Sequence, residues 1–341
     1  MAKNAPLLVA IDDGYAQIKV YGDAPDGGEP TKRVLRSSLR PGKYGLRRLS
    51  GEGSVDAYKV DEGGEFTVSE DVEAENTQFD GFHLSTMNRV FNHHGLFAAG
   101  YGGREVDLIT GLPVHDFFTQ DGVNQERINA KKANLARKVE RTSSAEPMAT
   151  LRSVDVGCQA VAAWWDYSFG DDLKPRNDLK GSVAIVDIGG RTTDIAVVVK
   201  GSTVDSALSG TRNSGVLDVY KAVNVALQKR FSIRDTFPLT YMDSAVRTGR
   251  LEVFGNVEDV SDLVREAVSQ VEEEIYREID RRIGSNVATL RAIVFTGGGG
   301  ALFSGLAKRF RNGAMIVDPE FANARGLFKF AKFRASRTKA A

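Results

Sequence analysis

Residues 183–201 read VAIVDIGGRTTDIAVVVKG, an apolar run that ends in an aspartate, passes through a glycine turn and returns as a second apolar run. Residues 7–22, LLVAIDDGYAQIKVYG, repeat this order near the start of the chain. Short apolar runs bounded by glycine are typical of buried strands, so each stretch predicts a β-hairpin with carboxylates at its turn. The repetition predicts an α/β protein with two related domains.

The length of the chain also favours two domains, because 341 residues are many for one hydrophobic core. The polar, turn-rich segment 170–181 is the preferred boundary. We therefore expect domain I at 1–170 and domain II at 171–321, with 322–341 returning to domain I. Within domain I, residues 23–104 are predicted to form a small irregular subdomain, since much of this stretch is rich in Gly, Asp and Glu.

Helices and further strands are also predicted outside the hairpins. Residues 124–141 are predicted to form a polar helix with a narrow apolar stripe, and 258–283 a long helix with one apolar face. Residues 291–296, RAIVFT, predict a buried strand that leads directly into four glycines, Gly297–Gly300.

The turns of the two hairpins have the chemistry of a phosphate and metal site. Backbone N–H groups reach phosphate oxygens where side chains are absent, which explains the glycines. Mg²⁺ keeps most of its waters and binds through one or two carboxylates, which Asp12 and Asp187 can supply. Two such hairpins facing each other would clamp a triphosphate, and the four-glycine run would let the backbone lie against adenine.

This arrangement resembles the phosphate and adenosine motifs of the actin, sugar-kinase and seventy-kilodalton heat-shock superfamily. Within it, the chain is most similar to the ParM (StbA) family of plasmid-segregation actins. The stretches that carry this resemblance are IDDG at 11–14, GLPV at 111–114, NQERINAKKANLARKVE at 124–140, VDIGGRTTDI at 186–195, FTGGGG at 295–300 and FANARGL at 321–327. The resemblance implies an actin-like fold, with a mixed sheet flanked by helices in each domain and a nucleotide cleft between them.

The resemblance also implies roles for individual residues, with ATP and Mg²⁺ as cofactors. Asp12 and Asp187 correspond to the catalytic aspartates that hold Mg²⁺ through water, and Gln159 to the catalytic residue that orients the attacking water. The nucleotide contacts are expected from Asp13, Gly14, Tyr15 and Lys19 in the first hairpin, Gly189, Gly190, Arg191 and Thr192 in the second, and Gly297, Gly298 and Gly299 in the adenosine loop.

The sequence departs from the family pattern at two places, one in each hairpin. Tyr15 and Ala16 replace small hydroxyl residues, so contacts there must come from backbone N–H groups or from the phenol. Arg191 replaces a glycine or small residue, and either reaches a phosphate, contacts a filament neighbour or is a solvated turn residue. Gln159 has a plainer alternative as an ordinary polar residue at the start of a helix.

The function implied by the resemblance is that of a dynamic filament. ATP binding closes the cleft, subunits join head to tail, and hydrolysis loosens the filament, with a DNA-bound adaptor of the ParR type as partner and a plasmid or similar DNA as cargo. A small-molecule kinase is the alternative, with Asp155 or Asp166 as base. A chaperone ATPase is disfavoured because no peptide-binding domain follows, and a cell-shape or archaeal-type actin differs in partner rather than chemistry.

Composition limits the partners and the compartment. Lys+Arg and Asp+Glu balance at 45 each, which argues against strong direct nucleic-acid binding. One cysteine, Cys158, the lack of an apolar run of about 18 residues and a strand close to the N-terminus predict a cytoplasmic protein without membrane contact. From Lys329 the tail KFAKFRASRTKAA carries no acid, and is either a solvated end or a strip for an acidic partner.

Overall fold

The computed structural model describes residues 5–44, 55–70, 74–176 and 180–340. The N-terminal half contains a larger sheet, a smaller sheet and a short hairpin. Its strands are β1 (Leu7–Asp13), β2 (Gln17–Gly22), β3 (Thr31–Arg36), β4 (Leu39–Pro41), β5 (Asp56–Val60), β6 (Glu65–Val68), β7 (Glu105–Leu112), β8 (Phe118–Thr119), β9 (Gly122–Val123), β10 (Val139–Arg141) and β11 (Thr150–Cys158). Its helices are α1 (Thr86–Ala98), α2 (Val114–Phe117), α3 (Gln125–Leu135) and α4 (Gln159–Ser168), with a 3₁₀ turn at Phe82–Leu84.

The C-terminal half contains a second large sheet and a helical layer. Its strands are β12 (Val183–Ile188), β13 (Thr193–Val199), β14 (Thr203–Val204), β15 (Gly210–Arg212), β16 (Arg250–Val253), β17 (Asn256–Asp259), β18 (Ala292–Thr296) and β19 (Gly313–Met315). Its helices are α5 (Val216–Phe231), α6 (Leu239–Thr248), α7 (Ser261–Ile283), α8 (Gly305–Lys308) and α9 (Ala322–Ala340), with 3₁₀ turns at Gly284–Thr289 and Pro319–Phe321.

The two large sheets have the same central arrangement. In the first, the order is β11-β7-β1-β2-β3, with β1 antiparallel to β2 and parallel to β7. In the second, the order is β14-β13-β12-β18-β19, with β12 antiparallel to β13 and parallel to β18. Each sheet therefore places a hairpin beside a parallel strand, which confirms the predicted pair of related α/β domains.

The central strands are apolar because both of their faces are covered. Every residue of β12 and of β18 is buried, as is expected for parallel strands between two helical layers. On the first sheet, α9 packs against β1, β2 and β7, where Phe321, Leu327 and Phe328 meet Ala10 and Ile109. Helix α9 also packs closely along α4. The expected division at 170/171 falls in the connection between α4 and β12 and remains a prediction.

The subdomain expected to be irregular at 23–104 contains an ordered sheet in the order β10-β5-β6-β4. One of its strands, β10, comes from outside that range and lies within the stretch predicted as a helix at 124–141. That helix ends at Leu135 instead, because Val139–Arg141 pairs with β5. The long helix predicted at 258–283 begins at Ser261, since Asn256–Asp259 forms β17. Among the described helices, none is long and apolar enough to cross a membrane.

Candidate functional site

A cleft opens between the two large sheets, where the turn of the β1–β2 hairpin faces the turn of the β12–β13 hairpin. Most of the residues predicted for the site line this cleft. They are Asp12, Gly14, Tyr15, Lys19, Gln159, Asp187, Gly189, Gly190, Thr192, Gly297 and Gly298. Asp13, Arg191 and Gly299 do not line it.

Two buried carboxylates, Asp12 and Asp187, lie on facing strands at the base of the cleft. Lys19 Nζ is 3.5 Å from Asp12 Oδ2, because the β1–β2 register pairs these two residues. Burial, followed by the nearby charge of Asp12, raises the pKa of Asp187 to about 7. A cation between the two carboxylates would relieve that repulsion, so this pair fits the one or two carboxylates through which proteins bind Mg²⁺.

Gln159 is the first residue of α4 and reaches the cleft directly after β11 ends. Its Nε2 donates a hydrogen bond of 3.1 Å to Asp12 Oδ1, and its side chain is buried. Gly111 provides the space, since a Cβ there would lie 2.6 Å from Gln159 Cγ. Gln159 is therefore held beside the first carboxylate with one amide oxygen still able to accept a hydrogen bond.

The glycines allow the turns to approach each other and the carboxylates. A Cβ on Gly190 would lie 2.6 Å from the Cβ of Ala16, so the two hairpin turns touch at this point. Gly297 has a φ of +90°, and a Cβ there would overlap Asp187 Oδ1 and the Ile188 carbonyl. These turns leave exposed backbone rather than side chains in the cleft, as a bound phosphate chain requires.

The expectation that Asp13 contacts the nucleotide needs correction, because the side chain of Asp13 points away from the cleft. Consecutive residues of a strand face opposite sides of the sheet, so Asp12 and Asp13 cannot both face the cleft. The Asp13 carboxylate is 2.7 Å from the buried Lys131 Nζ and accepts hydrogen bonds from Thr110 Oγ1 and Asn92 Nδ2. It stabilises domain I from within rather than contacting a ligand.

Arg191 is also not placed for the expected nucleotide contact. Its guanidinium is 2.7 Å from Asp80 Oδ1 and lies 5.2 Å from the centre of the Tyr15 ring, outside the cleft lining. The ring of Tyr15 packs against Phe82, and burial raises the pKa of its phenol to about 12. The two departures from the family pattern therefore form one packed pair at the edge of the site.

Gly299 has a packing role in this structure. Its N–H donates to the Ile188 carbonyl at 2.9 Å, and a Cβ there would lie 2.9 Å from side-chain atoms of Ile188 and Val216. Gly299 thus lets the four-glycine turn settle on the end of β12, while its neighbour Gly298 faces the cleft.

Sequence reasoning missed two groups of cleft residues. Asn323 Nδ2 donates to Asp187 Oδ2 at 2.7 Å, although the FANARGL stretch that contains it was recognised. Asp243 accepts from Arg36 at 2.5 Å across the cleft and from Tyr220 at 2.6 Å. Burial alone would raise the pKa of Asp243, but the Tyr220 hydroxyl and the Arg36 charge hold it below its ordinary value. No local motif marks these residues, because they meet only through the fold.

The two carboxylates considered as a kinase base lie outside the cleft lining. Asp155 is 2.7 Å from Lys132 Nζ and also pairs with Arg334. Asp166 is 2.9 Å from Lys329 Nζ and is paired with Arg325. Both form ion pairs with basic residues of α9 outside the cleft, so neither is placed to accept a proton from a substrate in the cleft.

Two sheets of the same arrangement, with facing hairpin turns and one carboxylate from each in the cleft between them, define an actin-like protein. Residues 7–168 match the family model described as plasmid segregation protein ParM, N-terminal, and residues 185–308 match archaeal actin homologue MreB-like, C-terminal. Together these matches span most of the chain. The chain therefore combines a ParM/StbA-type N-terminal region with an MreB-like C-terminal region, both of them actin-like.

Solved structures agree on the fold. A non-polymerisable quadruple mutant of pCBH ParM superimposes with a TM-score of 0.75 at 18% identity. The 15-stranded ParM filament from Clostridium botulinum gives 0.75 at 19%, and the archaeal actin homologue Ta0583 in complex with ADP gives 0.74 at 19%. Each alignment covers 96% of this chain and 99% of the other. A search of curated protein sequences found no match.

Proposed function

We propose that this protein binds ATP with Mg²⁺ in the cleft, hydrolyses it, and assembles into filaments that loosen after hydrolysis. The observation that carries the proposal is the meeting of Asp12 and Asp187 in one buried cleft between two glycine-bearing turns. A structurally similar archaeal actin homologue has been solved with ADP, and a similar ParM as a filament.

Each cleft residue has a defined part in this proposal. Asp12 and Asp187 would hold Mg²⁺ through its waters, and the ion would neutralise phosphate charge. Lys19 supplies a point charge, and the turns at Gly14–Tyr15 and Gly189–Thr192 direct backbone N–H groups to the phosphates. Gly297 and Gly298 bring backbone to the nucleoside. Gln159 orients the attacking water, because phosphoryl transfer depends mainly on positioning and charge neutralisation.

The proposed assembly is a head-to-tail filament of this chain. In such a filament, one surface of each subunit binds a different surface of the next subunit. Where the rotation between neighbours does not close a ring, subunits keep adding and an open filament results. We propose a DNA-bound adaptor of the ParR type as partner, plasmid or similar DNA as cargo, and the cytoplasm as location. The filament itself would contact neither membrane nor DNA strongly.

An archaeal-type actin with another cargo is the second candidate, because residues 185–308 match the MreB-like model. The two candidates share the chemistry of the cleft and differ in what the filament moves. A plasmid-stability assay separates them. Faster loss of a plasmid when the gene is deleted supports segregation, and unchanged inheritance of every resident plasmid supports the second candidate.

The cleft chemistry is tested by phosphate release from ATP with the Asp187→Ala variant. We expect turnover to fall about a hundredfold or more, since stabilisation of the phosphates through the metal is lost. Asp205→Ala, which changes an aspartate outside the cleft lining, serves as the control and should hydrolyse ATP normally. Near-normal turnover by a folded Asp187→Ala protein would overturn the assignment.

A further inference from the structure

The two-residue turn between β16 and β17 holds an aromatic side chain in an unusual position. Phe254 and Gly255 have φ angles of +50° and +78°, which are those of a type I′ hairpin turn. The first position of this turn favours Asn, Asp or Gly, because other residues are strained at positive φ. Phe254 nevertheless occupies it, with 79% of its surface exposed. A residue that is both strained and exposed points to a function outside the fold of the monomer.

The hairpin presents this ring on a rigid support. Leu251 and Val253 on β16 are buried in the core of the second domain, so the tip is anchored. On the other face, Val257 is 69% exposed and is paired across the hairpin with Glu252. The tip is therefore an apolar projection with the acidic side chain of Glu252 beside Val257 on the same face. We refer to residues 252–258 as the hairpin tip.

An apolar groove, separate from the hairpin tip, lies between α3, α4 and α9. Its walls are formed by Phe117, Val123, Ile128, Val161, Trp165 and Phe330. Lys132 and Arg334 lie at its edge and share one carboxylate, Asp155, which leaves the edge with a net positive charge. The exposed side of α9 adds further cations, and from Lys329 to the end of the chain there is no acid.

We propose that the hairpin tip of one subunit inserts into this groove on a second copy of the chain, with Phe254 as the anchor. The apolar projection fits the apolar groove, and the acidic side chain of Glu252 faces the basic edge of the groove and the basic face of α9. The tip and the groove share no residue, so each bound subunit leaves one free tip and one free groove for the next. This inference rests on the proposed self-assembly and specifies the contact that carries it.

The Phe254→Asn variant tests the inference without endangering the fold. Asparagine is favoured at this turn position, so the variant should unfold at the same temperature as the wild type or higher. Removal of an anchoring aromatic side chain should raise the critical concentration for ATP-driven assembly about tenfold or more, with ATP binding unchanged. Val225→Asn is the control and should assemble normally, because Val225 is an exposed apolar residue on α5, away from the hairpin tip.

A second variant, Val123→Asp, disables the groove at a position that is 53% exposed. Below its raised critical concentration each variant alone should remain monomeric, but a mixture of the two should form a dimer of twice the 37.1 kDa subunit mass, because one intact tip meets one intact groove. Sedimentation of the mixture measures this.

Normal assembly of Phe254→Asn, or a mixture that stays monomeric, would overturn the inference. If the wild type still assembles, the proposed function stands. A wild type that binds ATP and never assembles would instead contradict the proposed function.

Discussion

Gln159 and Asp12 form the contact on which we propose that hydrolysis depends. A glutamine amide cannot accept a proton at neutral pH, so its part is to fix a water molecule in line with the phosphate. The 3.1 Å hydrogen bond to Asp12 holds the side chain in place before any ligand arrives. Its contribution should therefore appear in the rate of hydrolysis and not in the affinity for nucleotide.

Gln159→Ala is predicted to slow ATP hydrolysis by about tenfold to a hundredfold while ATP-driven assembly persists, because water positioning is lost and nucleotide contacts remain. Phosphate release and light scattering, recorded on the same sample, measure the two effects. Loss of assembly with normal turnover would show that Gln159 has a structural role only.

Asp13 and Lys131 form a buried ion pair whose two partners depend on each other. Lys131→Met should lower the free energy of unfolding by about 3–5 kcal/mol, since it leaves a buried carboxylate without its cation. The double variant Asp13→Asn/Lys131→Met should recover much of that loss, as no unpaired charge remains. Urea denaturation measures all three proteins. Equal stability of wild type and Lys131→Met would show that the pair is dispensable.

The same pair predicts a pH dependence of stability. Burial alone would raise the pKa of Asp13, but the charge of Lys131, followed by the interaction with the His83 ring, outweighs burial and holds the pKa well below 3.8. A depressed folded pKa gives stability that is present above the unfolded value and lost as the pH falls below it. From about pH 5 to about pH 2, the unfolding free energy should fall more steeply for the wild type than for the double variant.

At the scale of elements, α4 and α9 cross with almost no space between their backbones. A Cβ on Gly326 would overlap the Ala162 carbonyl oxygen, so α9 can pack this closely on α4 only with glycine at this position. Helix α4 carries Gln159 and α9 carries Asn323, so their packing also positions two residues of the cleft.

Gly326→Ala is predicted to destabilise the protein by about 1–3 kcal/mol or more, because the added methyl group meets backbone that cannot move aside easily. Gly95→Ala in α1 is the matched control. Its Cβ would lie 3.4 Å from Val20 Cγ2, an ordinary contact, and alanine favours the helix by about 1 kcal/mol. Thermal unfolding should show opposite shifts for the two variants; a neutral Gly326→Ala would refute the close crossing.

The sequence predicted the elements that local patterns specify and missed those that distant partners create. The hairpins with Asp12 and Asp187 follow from apolar runs and glycine turns. Strand β10 was predicted as part of a helix, because its pairing with β5, about 80 residues away along the chain, leaves no local signal. Asp13 was assigned to the ligand although strand alternation already places it opposite Asp12. Asp243 was not predicted, since its partners Arg36 and Tyr220 come from other elements.

At the scale of the whole molecule, several polar contacts join the two domains across the cleft. Arg36 meets Asp243, Lys221 Nζ is 2.8 Å from Gln78 Oε1, and Asp194 accepts from the Val114 N–H at 3.0 Å. These contacts hold the domains together around the facing carboxylates. A ligand that binds both hairpins would favour one relative position of the two domains. That position also sets where the hairpin tip on one domain lies relative to the groove on the other.

Right-angle light scattering of the purified wild-type protein measures whether assembly depends on nucleotide. The protein is recorded with ATP and Mg²⁺, with a non-hydrolysable ATP analogue and Mg²⁺, and without nucleotide. We predict a rise that decays with ATP, a rise that persists with the analogue, and no rise without nucleotide. A flat trace under all three conditions, with ATP binding intact, would contradict the account and favour a small-molecule kinase of the same superfamily.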